Sequence, residues 1–177
     1  MELWDLYTRD RELTGKTMVR GDKIPEGCYH LVIHICAFNS RGEMLIQQRQ
    51  SYKEGWSNLW DITVGGSSVA GESSRQAAER ELGEEVGISF SFEQERPALT
   101  LNINDNIDDY YLIDTEPDIT TLTLQQEEVQ AVKWATLEEI LQMIDDEIFI
   151  PYHKSLIETL FALHKRRSAH YKPDPTR

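Results

Sequence analysis

The fold of this chain is best read from residues 66–88, which run GSSVAGESSRQAAERELGEEVGI. Ser73, followed three positions later by Gln76, has the signature of a capping box at a helix start. Gly87 is typical of the glycine that ends a helix in a left-handed conformation. These signals predict a helix over residues 73–86.

The predicted helix carries features that work against its own stability. Glu81 lies three residues before Glu84 and four before Glu85, so the three carboxylates share a face and repel one another by a few tenths of a kcal/mol per pair. Gly83, inside the helix, costs roughly 1 kcal/mol relative to alanine. Locally unfavourable choices are expected where function overrides stability. A cluster of carboxylates suits the hard ions Mg²⁺ and Mn²⁺, whereas a solvated acidic face is the plainer interpretation.

The rest of the chain alternates strands with a few helices. An α/β or α+β sandwich in one domain over residues 1–177 is therefore the predicted fold class. A hairpin is predicted from the strands at 30–38 and 43–48, and residues 15–27 are predicted to be a loop with one short strand. The other predicted elements are strands near 2–8, 60–64, 99–103, 110–113 and 129–134, helices over 136–145 and 151–167, and a frayed tail over 168–177.

Composition restricts the partners and the compartment. The 18 Lys and Arg against 31 Asp and Glu give a formal charge of −13, which argues against a general nucleic-acid binder. A phosphate-bearing ligand must therefore meet a local cation. Cys28 and Cys36 make no disulfide framework, the start of the chain is unlike a signal peptide, and the apolar stretch 31–38 is too short for a membrane span. We expect a cytoplasmic protein that does not bind membranes.

Residues 66–88 also match every fixed position of a known motif. Its form is G, five residues, E, seven residues and then R-E-U-x-E-E-x-G-U, where U is a bulky aliphatic residue. The chain resembles the Nudix (MutT-like) hydrolases on this motif. A less specific similarity extends to the preceding hairpin, to Trp60-Asp61, and to the segment from Glu127 to Trp134. The resemblance implies an α/β/α sandwich with a mixed sheet, in which the motif forms a loop-helix-loop.

The resemblance also implies a site and a reaction. Glu81, Glu84 and Glu85, with the backbone carbonyl of Gly66, would hold Mg²⁺ or Mn²⁺. Arg80 and Glu72 would orient these carboxylates through hydrogen bonds, so Arg80 joins the three glutamates as a catalytic candidate. The implied chemistry is the attack of water on the diphosphate bond of a nucleoside diphosphate linked to another moiety, or of a similar small organic diphosphate.

The general base and the substrate contacts are less constrained. Glu81 is the first candidate for the base, followed by Glu127 and Glu128, which are equally well explained as a solvated loop end. The candidate substrate contacts are Arg49, Lys53 and Trp56, which are equally well explained as an ordinary polar loop.

Four further side chains are assigned a structural role first. His30 and His34 share a strand face and could contact substrate, but a structural role is favoured for both. Tyr110 and Tyr111 are predicted to lie in the sheet, one facing in and one facing out.

Two alternatives to hydrolysis remain open. The opening residues and the 29–34 strand are similar to a Nudix subgroup that includes isopentenyl-diphosphate isomerases, which carry a catalytic cysteine before the motif helix. Here that turn, residues 64–68, has no cysteine, which favours hydrolysis over isomerisation. A non-catalytic ligand-binding module is disfavoured because no motif glutamate is lost. The sequence does not decide between a monomer and a homodimer.

Overall fold

The computed structural model describes residues 2–170 and 172. Its elements are β1 (Leu3–Tyr7), β2 (Leu13–Val19), β3 (His30–Phe38), β4 (Met44–Arg49), β5 (Trp60–Asp61), β6 (Val64–Ser67), α1 (Ser74–Val86), β7 (Leu99–Ile103), β8 (Asn106–Asp114), a 3-10 turn (Ile119–Thr121), β9 (Val129–Ala135), α2 (Leu137–Asp145) and α3 (Lys154–Lys165). The predicted frayed tail falls partly at positions 171 and 173–177, which lie outside the described residues.

The architecture is a mixed sheet covered by helices on both faces. The order β5-β4-β3-β8-β7 runs through the sheet, with β6 pairing with β3 and β9 with β4. Strands β3 and β8 are parallel, and the other pairs of this sheet are antiparallel. The expected α/β/α sandwich with a mixed sheet is confirmed.

Alternation along β3 sends side chains to two separate cores. Ile33 and Ile35 pack with Leu82 of α1 on one face. Cys36 and Phe38 pack with residues of α2 and α3 on the other face. The prediction that one of Tyr110 and Tyr111 faces solvent is wrong: the two point to opposite faces, but both are buried because both faces are covered.

Helix α1 has the predicted caps. Ser73 and Gln76 form the capping box, and Gly87 ends the helix at φ 70°. A side chain on Gly87 would also lie 2.8 Å from the backbone oxygen of Thr123, so both the backbone angle and the lack of space require glycine at this position. The predicted helix and its two flanking loops are therefore confirmed.

The strand predicted at 60–64 is in fact two strands. Strand β5 pairs with β4, and the chain then crosses so that β6 pairs with β3. Thr63 stands at the crossing, where its hydroxyl accepts from the Ala37 amide and donates to the Leu45 carbonyl. Strands β3 and β4 splay apart after the pair Phe38–Met44, and Thr63 satisfies backbone groups in the gap. The predicted hairpin is thus paired only next to its turn.

Two element starts also differ from prediction. Helix α3 begins at Lys154, not at Pro151, because the Ile150 amide donates to the Trp60 carbonyl and holds the chain in an extended bridge. The region 15–27, predicted to be mostly loop, contributes to β2, which pairs with β1 in a separate two-stranded sheet. This N-terminal hairpin packs on β3 through Tyr7, Leu31 and Ile107.

Candidate active site

One cavity of about 740 Å³ brings together most of the predicted site residues. Its wall includes Gly66 on β6, the three α1 glutamates and Arg80. The cavity is also lined by Arg49 at the end of β4, Lys53 in the following loop, and Glu127 and Glu128 ahead of β9. Helix, sheet edge and two loops therefore meet at this cavity, which we call the acidic cavity. Glu72 and Trp56 do not line it.

Gly66 allows Glu81 to approach the sheet. A Cβ atom on residue 66 would lie 2.4 Å from the Cδ atom of Glu81, far inside van der Waals contact. Only glycine therefore permits this carboxylate to pack against the main chain of β6. The arrangement places the Glu81 carboxylate beside the main chain of Gly66, the residue whose carbonyl is its predicted co-ligand.

Glu85 is a buried carboxylate with no cation beside it. It is 6% exposed, and its Oε2 accepts a hydrogen bond of 2.8 Å from the amide of Gln47 on β4. Burial raises the pKa of Glu85 to about 8, with smaller contributions from the negative charges of Glu81, Glu128 and Asp61. Burial also raises the pKa of Glu81, partly offset by Arg80. A bound cation would relieve both penalties.

Arg80 links the glutamates to the preceding loop. Its guanidinium donates to both carboxylate oxygens of Glu72, at 2.7 and 3.0 Å, and to the Ser67 carbonyl at 3.2 Å. The Nη1 atom lies 2.9 Å from Glu81 and 3.1 Å from Glu84. Burial opposes ionisation of Glu72, but hydrogen bonds from Arg80 and from the Val69 amide lower its pKa overall. The predicted orienting contacts of Arg80 and Glu72 are present.

The donor set suits a hard divalent ion, although the carboxylates do not yet converge on one point. In the described part of the chain, no three histidine, cysteine, aspartate or glutamate side chains form a ready metal-binding group. Arg80 occupies the space between Glu81 and Glu84. Oxygen-only donors, an uncompensated buried carboxylate and the glycine cradle at residue 66 nevertheless fit Mg²⁺ or Mn²⁺ better than a softer metal.

Arg49 is the cation in this cavity that lacks an anion. Its Nε atom is buried without a hydrogen-bond partner, and within residues 2–170 and 172 its side chain makes no ion pair. Lys53, by contrast, lies 2.6 Å from Glu128. A guanidinium without an ion pair, in the same cavity as the carboxylates, is the local cation that a phosphate ligand would require in so acidic a chain.

The two histidines have different surroundings. His30 stacks on Trp4, with ring centroids 4.2 Å apart, and burial lowers its pKa, so it is a neutral packing group. His34 stacks on Tyr110, and its Nε2 atom lies 3.2 Å from Asp108. His34 also lines a second cavity, together with Trp56.

The cysteines are not placed for chemistry at either cavity. Cys36 is buried, and burial raises the pKa of its thiol. Cys28 is half-buried, and neither cysteine lines the acidic cavity or the second cavity. No helix among the described residues is long and apolar enough to cross a bilayer.

Several residues around the site could not be found from sequence patterns. Gln47 looks like an ordinary strand residue, and Arg20 and Glu2 reach the acidic cavity from the N-terminal hairpin. Asp61 is the residue near the site that the sequence could have indicated, because it is an acidic residue inside the otherwise uncharged strand 60–64.

A family model described as NUDIX domain matches residues 29–156 of this chain. The uncharacterized Nudix hydrolase lmo0368 of Listeria monocytogenes is 44% identical over 171 residues, covering 97% of this chain and 100% of the relative. An isopentenyl-diphosphate Delta-isomerase of Halorhodospira halophila is 46% identical over only 62 residues, 35% of each chain. The crystal structure of DR0079 from Deinococcus radiodurans gives a TM-score of 0.70 at 22% identity, covering 90% of this chain and 97% of that one. The chain belongs to the Nudix hydrolase family.

Proposed function

We propose that this enzyme hydrolyses the diphosphate bond of a nucleoside diphosphate linked to another moiety, or of a similar small organic diphosphate, using Mg²⁺ or Mn²⁺. One observation carries the proposal: a single cavity is lined both by Glu81, Glu84 and Glu85 and by Arg49, whose side chain makes no ion pair among the described residues. A diphosphate with a divalent ion has the charges that complement these two kinds of group.

The metal would be held by Glu81, Glu84, Glu85 and the carbonyl of Gly66. When bound, the ion supplies activation of the attacking water and neutralisation of charge on the phosphoryl oxygens. Arg80 and Glu72 position the carboxylates through the hydrogen bonds described above. The guanidinium that now bridges Glu81 and Glu84 would give up one of these contacts as the carboxylates turn toward the ion.

The chain offers three candidates for the general base. Glu81 remains the first, because it packs on β6 beside the main chain of Gly66. Glu127 lines the acidic cavity and is exposed, whereas Glu128 is tied to Lys53. Glu128 would be free to act as the general base only when Lys53 leaves it to bind the substrate, so the two residues would act together.

Arg49 and Lys53 would bind the phosphate oxygens. The Nε atom of Arg49 is buried without a hydrogen-bond partner, so a phosphate would gain a charge-assisted hydrogen bond at this side chain without breaking an existing ion pair. Arg49 is therefore the local positive charge that an anionic substrate needs in a chain whose formal net charge is −13.

The isomerase alternative finds little support in the cavity. The turn before α1 has no cysteine, and neither thiol lines the cavity. A non-catalytic module would not require the uncompensated burial of Glu85, which costs stability in the absence of a ligand. Both observations favour hydrolysis.

The test is metal-dependent hydrolysis of a panel of organic diphosphates, scored as the two phosphomonoester products for linked nucleoside diphosphates and as inorganic phosphate for terminal diphosphates, with isopentenyl diphosphate also scored for isomer. Turnover should require added Mg²⁺ or Mn²⁺ and vanish in excess chelator. Glu81→Gln should lose at least about 100-fold, the usual scale for a catalytic group. Glu79→Gln, an exposed α1 glutamate outside the cavity, is the matched control and should keep parental activity. Full turnover in excess chelator would refute the proposal.

A further inference from the structure

The acidic cavity continues around the free edge of β6 into the second cavity. The two share six lining residues: Arg20, Arg49, Glu54, Gly65, Gly66 and Ser67. Strand β6 pairs with β3 on one side, and no described strand pairs with its other side. A ligand can therefore bend over this edge and reach both faces of the sheet.

Strand alternation explains why the cavities lie on opposite faces. A side chain on Gly66 would meet Glu81, whereas a side chain on Gly65 would lie 3.4 Å from the imidazole Nδ1 of His34. Successive residues of a strand point to opposite faces. The carboxylates therefore lie on the α1 face, and the second cavity opens on the face covered by α2 and α3.

The second cavity, of about 470 Å³, has the character of a recognition pocket. Its walls are apolar at Val32, Ile150 and Pro151 and aromatic at Trp56 and Tyr152. Asp61 and His34 provide polar groups. We call this space the recognition cavity.

Trp56 presents its ring to solvent at considerable local cost. It is 53% exposed, and its φ of 52° lies in the left-handed region that bulky residues rarely adopt. Backbone strain of this kind concentrates at functional sites. A half-exposed indole at the edge of a cavity is suited to stacking on a planar ring.

Asp61 has one oxygen committed to the protein and one that is free. Its Oδ1 accepts hydrogen bonds from the Tyr152 hydroxyl and the Ile62 amide, both at 2.8 Å. Its Oδ2 has no partner among the described residues and is not one of their fully enclosed unpaired atoms, so it opens to the recognition cavity. An apolar chain bound there would leave this oxygen desolvated and unpaired, whereas a ring with a polar edge would hydrogen-bond to it.

The junction between the cavities carries two arginines. Arg49 is the unpaired guanidinium already described. Arg20 follows β2, is held by Glu2 at 3.1 Å, and belongs to the N-terminal hairpin, which precedes the residues matched by the family model. A diphosphate lying over β6 would have a cation at this point.

We propose that Asp61 and Trp56 are the specificity-determining residues of this enzyme, selecting diphosphates whose organic group is a planar ring with a polar edge, such as a nucleobase, over those with an apolar chain. The inference rests on the proposed function. The ring stacks on Trp56, its polar edge hydrogen-bonds to Asp61, and the diphosphate crosses the edge of β6 beside Arg49 and Arg20.

The test compares compounds that all release phosphate in one assay. They are the four ribonucleoside 5′-diphosphates, isopentenyl diphosphate and methyl diphosphate, which has no group to fill the recognition cavity. For the parent, kcat/KM of the best nucleoside diphosphate should exceed that of the other two by at least about tenfold. Trp56→Ala and Asp61→Leu should each remove about tenfold of this preference through KM, and Trp56→Ala should leave kcat/KM for methyl diphosphate within about twofold.

Controls separate this inference from the proposed hydrolysis. Asp114→Leu removes a carboxylate that contacts His164 far from either cavity, and it should retain the parental preference. Leucine deletes the hydrogen-bonding capacity of Asp61 in either protonation state. Because Trp56 is exposed, Trp56→Ala decides the matter if Asp61→Leu fails to fold.

Two results would separate failure of the inference from failure of the proposed function. If the parent turns over all diphosphates alike and the variants match it, the specificity assignment is overturned and hydrolysis stands. The converse case, binding without hydrolysis, is tested by equilibrium dialysis of nucleoside diphosphates against parent and variants in excess chelator. If both substitutions weaken this binding, and the parent turns over no diphosphate with Mg²⁺ or Mn²⁺, the recognition cavity is supported and the proposed hydrolysis is overturned.

Discussion

Replacing Glu85 by glutamine should stabilise the metal-free enzyme while it abolishes function. The carboxylate is buried and lacks a cation, and its pKa rises from 4.5 to about 8. Glutamine has nearly the same size, and its amide oxygen can still accept the hydrogen bond from Gln47. The substitution therefore removes the cost of burying the charge and little else.

The pH dependence fixes the sign and the size of the effect. Below pH 4.5 Glu85 is protonated in both the folded and the unfolded chain, so parent and variant should be equally stable. As pH rises toward about 8, the unfolded chain releases the proton and the folded chain retains it. The parent's free energy of unfolding then falls by up to about 1.4 kcal/mol per pH unit. At pH 7 the variant should be more stable than the parent by up to about 3 kcal/mol.

Urea unfolding at pH 4.5, 6, 7 and 8 in excess chelator measures this difference. Glu84→Gln is the matched control, because it removes a neighbouring charge whose side chain is 52% exposed. It should change stability by a few tenths of a kcal/mol and keep the parental pH slope. A Glu85→Gln curve parallel to the parent at every pH would refute the burial argument.

Metal should reverse the order of stability. A ligand that binds only the folded state stabilises it by about 4.1 kcal/mol at 1,000 times its Kd, which exceeds the difference of up to about 3 kcal/mol at pH 7. With Mg²⁺ or Mn²⁺ the parent should gain melting temperature, whereas Glu85→Gln should gain much less and lose most turnover. If the variant keeps both the metal shift and the parental rate, Glu85 is not a metal ligand.

Three further outcomes follow from single contacts. The double variant Cys28→Ser, Cys36→Ser should keep most phosphate release, since neither thiol lines either cavity; a loss beyond ~100-fold with the fold intact would make cysteine chemistry credible. Gly83→Ala should raise the free energy of unfolding by about 0.5–1 kcal/mol without changing kcat, because the added methyl meets no atom within 4 Å; an unchanged urea midpoint would contradict this. Asp109→Ala should cost about 3 kcal/mol, because this fully buried carboxylate pairs with Arg11 and accepts from Ser74 and Thr100; a loss below 1 kcal/mol in the same assay would show that the cluster is dispensable.

The features that the sequence predicts well are those decided by neighbours in the chain. The caps of α1 depend on residues three or four positions apart, and the structure has them as predicted. A capping box of the same kind, formed by Thr136 and Glu139, starts α2, where a helix over 136–145 is predicted. Helical spacing alone places the three motif glutamates on one face of α1, so their common location at one cavity was also predictable.

The features that the sequence misses depend on distant partners. Val64 and Ser67 flank two glycines, and glycine is depleted in strands, so β6 gives no strand signal of its own. The strand exists because it pairs with residues 32–35 of β3. Arg20 and Glu54 reach the junction only through tertiary packing, and no local pattern marks them.

The two glycines of β6, Gly65 and Gly66, combine a feature that the motif predicts with a feature that only the structure shows. Position 66 is a fixed point of the motif, and its role is visible once Glu81 is seen packed against it. Position 65 is not part of the motif, yet its missing side chain faces the recognition cavity beside His34. A side chain at residue 65 would narrow the recognition cavity, and one at residue 66 would displace the carboxylate that the reaction needs. The free edge of β6 can therefore serve two cavities at once because both of these adjacent positions lack a side chain.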